Sequence, residues 1–282
     1  MRKQGQLSEF WRRFKKRKIS VAGLYVIAFI LLVIIFADFI APYDYSSINL
    51  SNRLQSPSWE HPFGTDNLGR DILTRCIYGG RISFLVAVAA IGIAFIIGCF
   101  LGATTGYFGG IYESIVMRVV DTIMAIPQLM YAVAISAAFG TSVPSIAAAI
   151  AFGMIPGFAR VSRASVLTVR GQDYILAAKA TGCGSGRILR KHIIKNALAP
   201  IIVHTTTSMV SAILIISTLS FVGLGVEPPT PEWGNMLSAS REHMRDFWPL
   251  TVFPGMCIVV TLLCFNLVGD GMRDALDPRL KQ

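Results

Sequence analysis

Charge is what this chain has least of. Asp, Glu, Lys and Arg make up 15% of its 282 residues, where a soluble domain carries about 25%. With 53% hydrophobic residues and a mean hydropathy of +0.57, that shortage excludes an ordinary soluble domain. A phosphate-cradling G-x-x-x-x-G-K-[ST] string is missing, so the chain lacks the usual loop for binding ATP. A Ser/His/Asp nucleophile arrangement and an H-E-x-x-H pair are missing too, so no catalytic residue and no metal site is expected. Cys76, Cys99, Cys183, Cys257 and Cys264 fall without paired spacing, giving neither a disulfide framework nor a zinc pattern. Three of them, Cys99, Cys257 and Cys264, lie in apolar runs, where the thiol behaves as a small hydrophobe. The net charge of +10 is dispersed rather than gathered in one patch, so no nucleic-acid partner is expected. No repeat of solenoid length appears, and no separate soluble domain is large enough to fold alone.

What the chain does have is long apolar runs between short polar stretches, the pattern of an all-α polytopic membrane protein with the lipid bilayer as partner. Six transmembrane helices are expected. Residues 1–18 are a basic tail, and Ile19–Ile40 follow as the first span. At 1.5 Å per residue this run is long enough to cross a hydrocarbon core of about 30 Å. It exceeds the roughly 7–15 residues of a signal-peptide core, and Ala41-Pro42 is a poor cleavage context, so it reads as retained. Residues 41–83 are polar, punctuated by proline and glycine, and read as an extracytoplasmic segment. Five further helices belong to residues 84–272: Phe84–Thr105, Ile115–Phe139, Val143–Val161, Pro200–Val226 and Pro249–Val268. A short turn at Gly106–Ser114 separates two of them, and Gly92, Gly98 and Gly102 are available for close helix packing. Glu227–Trp248 returns to the outside, with Pro228, Pro229 and Pro231 making a stiff non-helical exit. Residues 273–282 form a short tail.

Orientation comes from the basic residues. Eight Lys and Arg lie in the first 18 residues, one at Arg118, eight between Arg160 and Lys195, and three in the last ten. The two remaining polar segments carry four and two. Positive charge accumulates on the cytoplasmic side, so both termini and the loop at 173–200 are expected there. An even number of spans agrees.

Four groups of residues are candidates for chemistry. His61, Asp66 and Asp71 share no helical spacing, and capping or Asp–Arg pairing is the expected role. Asp121 sits in an apolar run, where a carboxylate is a functional candidate, but Arg118 three residues earlier predicts a helical ion pair. The span after Pro200 is the most polar, with His204 and a run of Thr and Ser hydroxyls. Thr206, Ser208, Ser211 and Ser217 are candidates to line a hydrated route, or else they bond back to the helix or across to neighbours.

The fourth group is Asp173–Pro200, DYILAAKATGCGSGRILRKHIIKNALAP. Asp173 can cap a helix. Tyr174–Thr181 are good helix formers, with Ala177, Ala178 and Ala180 leaving a thin face. Gly182, Gly184 and Gly186 are expected to stop that helix, and a second helical run begins near Arg187. A short, small-faced helix suits docking into a partner's groove. A solvated basic loop is the plainer alternative.

This stretch resembles the EAA loop of permease subunits in ATP-binding-cassette importers: Ala177, Ala178 and Gly182 fit, Leu176 stands where a Glu is frequent, and Lys195 replaces a frequent proline. Further strings resemble the same subunit. HPFGTDNLGRDILTRCIYGGRISF (His61–Phe84), MRVVDTIMAIPQL (Met117–Leu129), SFVGLGVEPPTPEWGNML (Ser220–Leu237) and FNLVGDGMRDALDPRL (Phe265–Leu280) are similar to the C-type permease of dipeptide, oligopeptide and nickel importers. The resemblance implies the type I ABC importer permease fold in a prokaryotic plasma (inner) membrane. It implies a second homologous permease, two cytosolic ATPase subunits carrying ATP and Mg, and an extracytoplasmic solute-binding protein. No cofactor would be held by this chain. Asp173, Tyr174, Ala177, Ala178, Lys179, Gly182 and His192 become the ATPase-coupling residues. Peptides are the expected solute and nickel or a metal chelate the alternative. An ion-driven secondary transporter resting on Asp121, and a membrane-embedded enzyme or scaffold, are the rival classes.

Overall fold

A computed structural model describes residues 6–276, with side chains from Glu9 onward. Residues 1–5 of the expected tail and 277–282 of the C-terminal tail lie outside the described residues. Among those described there is no strand, only one isolated bridge between Thr65 and Asp71.

The basic tail is largely a helix, α1 (Gln6–Lys16). Phe14 is 2% exposed and packs in a cluster with Ile27, Cys264 and Val268, while Arg12, Lys15 and Lys16 stay exposed. That division into an apolar and a basic face is what a helix lying along a membrane surface requires. The first span is α2 (Lys18–Ile35) with a short continuation, α3 (Ala37–Ile40), after a break at Phe36.

Helix α4 (Ile72–Phe108) begins well before the expected boundary at residue 84, because Asp71 caps it by accepting the Thr74 N–H at 2.7 Å. Its 37 residues reach about 56 Å at 1.5 Å per residue, longer than a hydrocarbon core. Gly109, at φ +71°, then turns the chain into α5 (Gly110–Met124), so the expected turn over Gly106–Ser114 shrinks to that one residue.

The expected single span Ile115–Phe139 is instead a bent pair. α5 and α6 (Gln128–Phe139) meet at 83°. Pro127 has no N–H to give the helix, and its ring drives Ile126 out of helical conformation. Helix α7 (Val143–Arg170) is capped by Ser142 and carries Pro156 inside it. Among the described residues, with α2, α4, α7, the later span and the last helix, five helices are long and apolar enough to cross a membrane, or six if the bent pair is one span.

The most extensive packing is between α4 and α7. A Cβ on Gly98 would sit 2.5 Å from the Phe158 Cβ, on Gly102 2.2 Å from the Ala159 carbonyl oxygen, and on Gly106 3.0 Å from the Arg163 carbonyl oxygen. These three glycines, four residues apart, form the seam. Gly92 is not part of it, since a Cβ there would meet open space.

After α7 come α8 (Asp173–Ala180) and α9 (Ser185–Arg187), then a π turn at Ile188–Ile193 that runs into α10 (Ile194–Phe221). Outside the spans, α11 (Trp233–Ala239) precedes α12 (Pro249–Leu276). The main core, including Ile146, Ile150, Phe158, Ile213 and Ile216, lies where α4, α7 and α10 meet.

Candidate functional site

The Asp173–Pro200 stretch folds as two helices joined by a tight turn at one end of the bundle. Ile175 is fully buried, in a cluster with Ala103 and Tyr107 of α4, Val166 and Val169 of α7, and Ile188 and Ile193. The π turn explains how Ile188 and Ile193 both reach it: a wider turn with i→i+5 periodicity brings residues five apart to one face. Lys179 lies 5.6 Å over the Tyr107 ring, adding a second tether between α8 and α4. Gly182 ends α8 at φ +75°. The Cys183 N–H donates to the Ala178 carbonyl at 3.1 Å and the Gly182 N–H to the Lys179 carbonyl at 3.0 Å. This is the paired closure that needs a left-handed residue at that position.

Three expectations change. Asp173 is not a cap: it occupies the first turn of α8 after Gln172, without a capping side-chain bond. Gly184 and Gly186 do not stop α8; Gly184 precedes α9 and Gly186 lies within it. Ala177 and Ala178 do not share a face, since Ala177 is exposed while Ala178 packs inward on the Ile175 cluster. The outward surface is built from Tyr174, Leu176 and Ala177, with Tyr174 45% and Leu176 55% exposed. His192 is half-buried in the π turn.

The four candidate path residues separate as well. Thr206 donates to the Val203 carbonyl at 2.8 Å and faces Gly269 of α12. Ser217 is buried against Gly234 of α11. Only Ser208 and Ser211 meet, in a cleft of about 250 Å³ bounded by Pro127 and Gln128 at the bend, Gly153 and Gly157 of α7, and His204. A second cleft of about 370 Å³, reaching Arg273 of α12, also ends on His204. Near them, Asp121 pairs with Arg160 at 2.6 Å rather than with Arg118, both side chains being more than half exposed. The expected partner is on the same helix, but α7 brings Arg160 closer. His204 belonged to the polar set of this span, but Gln128 was not singled out for the path; the pair of glycines four apart opposite them, Gly153 and Gly157, was the available signal.

In the segment before α4, the acidic and basic residues do pair as expected. Asp66 holds Arg70 at 2.7 Å and Arg75 at 3.6 Å, and His61 sits 3.0 Å from Asp71. The PEWGN string makes an unexpected wedge. Glu232 is fully buried and accepts from the Ser83 hydroxyl and the Asn235 N–H, each at 2.9 Å. Burial without a cation pushes its carboxyl up from the ordinary value, more than its hydrogen bonds lower it. The Trp233 indole N–H donates to the Cys76 carbonyl at 2.8 Å, and its ring lies over Gly79 and Gly80.

Residues 94–282 match the model of the binding-protein-dependent transport system inner membrane component family, and residues 5–57 that of the N-terminal transmembrane domain of oligopeptide transport permease C. A dipeptide transport system permease protein of Alkalihalophilus pseudofirmus is 44% identical over 97% of this chain and 90% of its own length. Its counterpart in Escherichia coli strain K12 is 43% identical over 98% and 94%. A glutathione transport system permease protein of Escherichia coli is 39% identical over 97% and 90%. Among solved structures, the inward-facing MetNI methionine ABC transporter superposes with a TM-score of 0.57 at 16% identity, over 72% of this chain and 97% of that one. At that identity the likeness speaks for the fold alone.

Proposed function

The chain belongs to the inner-membrane components of binding-protein-dependent transport systems, and from that premise we propose that it is the C-type permease of a peptide importer, coupled to its ATPases through α8. Peptide is favoured over nickel because the relatives covering nearly its whole length are named for dipeptides and glutathione. The chain itself hydrolyses nothing. Two cytosolic ATPase subunits carry ATP and Mg, a second homologous permease completes the route, and an extracytoplasmic binding protein delivers the solute. Both termini and α8 face the cytoplasm in this reading.

The observation that carries it is the construction of α8. Its inner face is fastened to α4 and α7 through Ile175, while Tyr174, Leu176 and Ala177 are left outward on a helix two turns long. ATP-driven transport is a shift between two arrangements, and a ligand shifts them only as far as it binds them differently. A rigid helix seated in a partner's groove, and joined to two spans, passes that preference on without dissipating it. A secondary transporter resting on Asp121 is disfavoured, because that carboxylate is paired with Arg160.

The test is reconstitution. The chain with a second permease, two ATPases and a binding protein should accumulate labelled dipeptide in vesicles only with ATP, whereas the chain purified alone should hydrolyse none. Uptake driven by an ion gradient without ATP would overturn the reading. For orientation, a thiol introduced by Ser56→Cys should react with an impermeant reagent from outside and one from Ser185→Cys should not; both positions are exposed.

A further inference from the structure

We propose that His204 is the throat of the translocation route, the point where two clefts on the flank of α10 join and where the passing peptide backbone is met. The inference rests on the peptide-permease reading. Its first support is placement. His204 is the one side chain shared by the cleft at the Pro127 bend and the cleft that reaches Arg273, two volumes of about 250 and 370 Å³. Each is near the lower end of the roughly 300–1,000 Å³ of small-molecule sites.

Its second support is chemistry. His204, Ser208 and Ser211 follow one another at i, i+4 and i+7, so they form one stripe along α10. Opposite, the Gln128 amide nitrogen is buried with no hydrogen-bond partner among the described residues. Its side chain is tucked into the notch at Gly153, where a Cβ would sit 2.5 Å from the Gln128 Cγ. An amide donor, an imidazole and two hydroxyls are complementary to a peptide's carbonyls and N–H groups. The more than half-exposed Asp121–Arg160 pair lies close by on α5 and α7. Charges within a span face water or protein rather than hydrocarbon, so this flank is the hydrated one.

The third support is the seat of the ring. The Phe158 ring meets it edge-on, centroids 4.7 Å apart. A Cβ at Gly157 would lie 3.2 Å from the His204 Nε2. The missing side chain at Gly157 leaves the imidazole its space, and a Cβ there would require the ring to give way by a few tenths of an ångström. His204 is thus held on one side and free on the other, as a throat residue must be.

The experiment uses the complete transporter in vesicles. Filling the junction with His204→Trp should lower ATP-driven dipeptide uptake at least tenfold in a complex of unchanged subunit composition. Gly157→Ala should lower it several-fold, acting through the displaced ring. A thiol introduced by His204→Cys should be modified by a small hydrophilic reagent beyond the labelling of the unaltered chain, and that modification should block uptake. Normal uptake by an assembled His204→Trp complex, or no added labelling of His204→Cys, overturns the proposal; should His204→Trp fail to assemble, the labelling result decides. If the unaltered complex takes up no peptide, the peptide reading fails, while labelling of His204→Cys still decides whether this flank is hydrated.

Discussion

The PEWGN wedge and the α8 loop are both polar insertions between spans, and they are built in opposite ways. The wedge is locked by contacts specific to single atoms: a buried carboxylate on Ser83, an indole on a backbone carbonyl, and Gly234 against the backbone of Ser217. The loop is held by a small apolar cluster and one cation over a ring, with its outer face bare. A segment that must keep its place between helices gains from directional bonds, because a misplaced buried donor or acceptor costs about 1–3 kcal/mol. A segment that must dock and move gains from non-directional packing on one side and a free surface on the other.

Substitutions in the two regions should therefore fail differently. The largest effect is expected from Gly234→Val. A Cβ there would lie 2.5 Å from the Ser217 Cα and carbonyl oxygen, backbone atoms that cannot swing aside. Overpacking costs about 1–3 kcal/mol, occasionally more, and the expected outcome is a sharp loss of folded protein in detergent, read by size-exclusion chromatography.

Next is Glu232→Ala, which strands the Ser83 hydroxyl and the Asn235 N–H and should destabilise by about 1–3 kcal/mol, read as a lower Tm. Glu232 also carries a pH signature. Because burial raises its carboxyl in the folded chain above the unfolded value, its contribution is fully present in acid and is lost as pH rises through the folded value. Glu232→Gln should flatten that part of the stability–pH profile, and a slope of unchanged size would place the titration elsewhere.

The third comparison is within α8. Ala178→Glu faces the inner cluster and should lower both Tm and ATPase association, whereas Ala177→Glu should leave stability within about 0.5 kcal/mol. Ala177→Glu should nonetheless weaken association about tenfold, one decade per 1.4 kcal/mol, in a pull-down against the ATPases. Equal effects of the two on Tm would remove the distinction between the faces.

Gly182→Val is the conformational counterpart of Gly234→Val. Space around Gly182 is open, so only its φ of +75° resists a side chain, at roughly 1–2 kcal/mol. The chain should stay folded but lose coupled uptake. The smallest effect is expected from Lys179→Gln, which removes the cation over Tyr107, worth about 0.5–1 kcal/mol where exposed. Proteolysis at the α8–α9 turn should become slightly faster, with Tm unchanged.

Much of the fold was legible in the residues. Hydropathy located the apolar runs though not the break inside Ile115–Phe139, Gly182 declared the end of α8, and strings spread from His61 to Leu280 carried the family. The site was less so. Asp173 has the right residue type for a cap yet sits one position inside the helix, an offset that local preference does not resolve. Ala177 and Ala178 read as one thin face because both are small, but neighbours on a helix point about 100° apart, and Ile175 chose which of them turned inward. Asp121 was assigned to Arg118 from spacing, and a helix distant in sequence supplied Arg160 instead.

By itself, then, the sequence determined what depends on a residue and its near neighbours along the chain: which stretches are apolar enough to span, and where glycine must take a left-handed turn. Those are properties of backbone sterics and of one to five turns of periodicity. Tertiary structure alone decided the Asp121–Arg160 pair, the seating of Gly98, Gly102 and Gly106 on α7, the burial of Glu232 against Ser83, and the cleft that Gln128 and His204 share. Each joins residues from elements distant in the chain. Their juxtaposition follows from how whole helices rotate and cross to fill the core, a collective packing solution that no single window of residues contains.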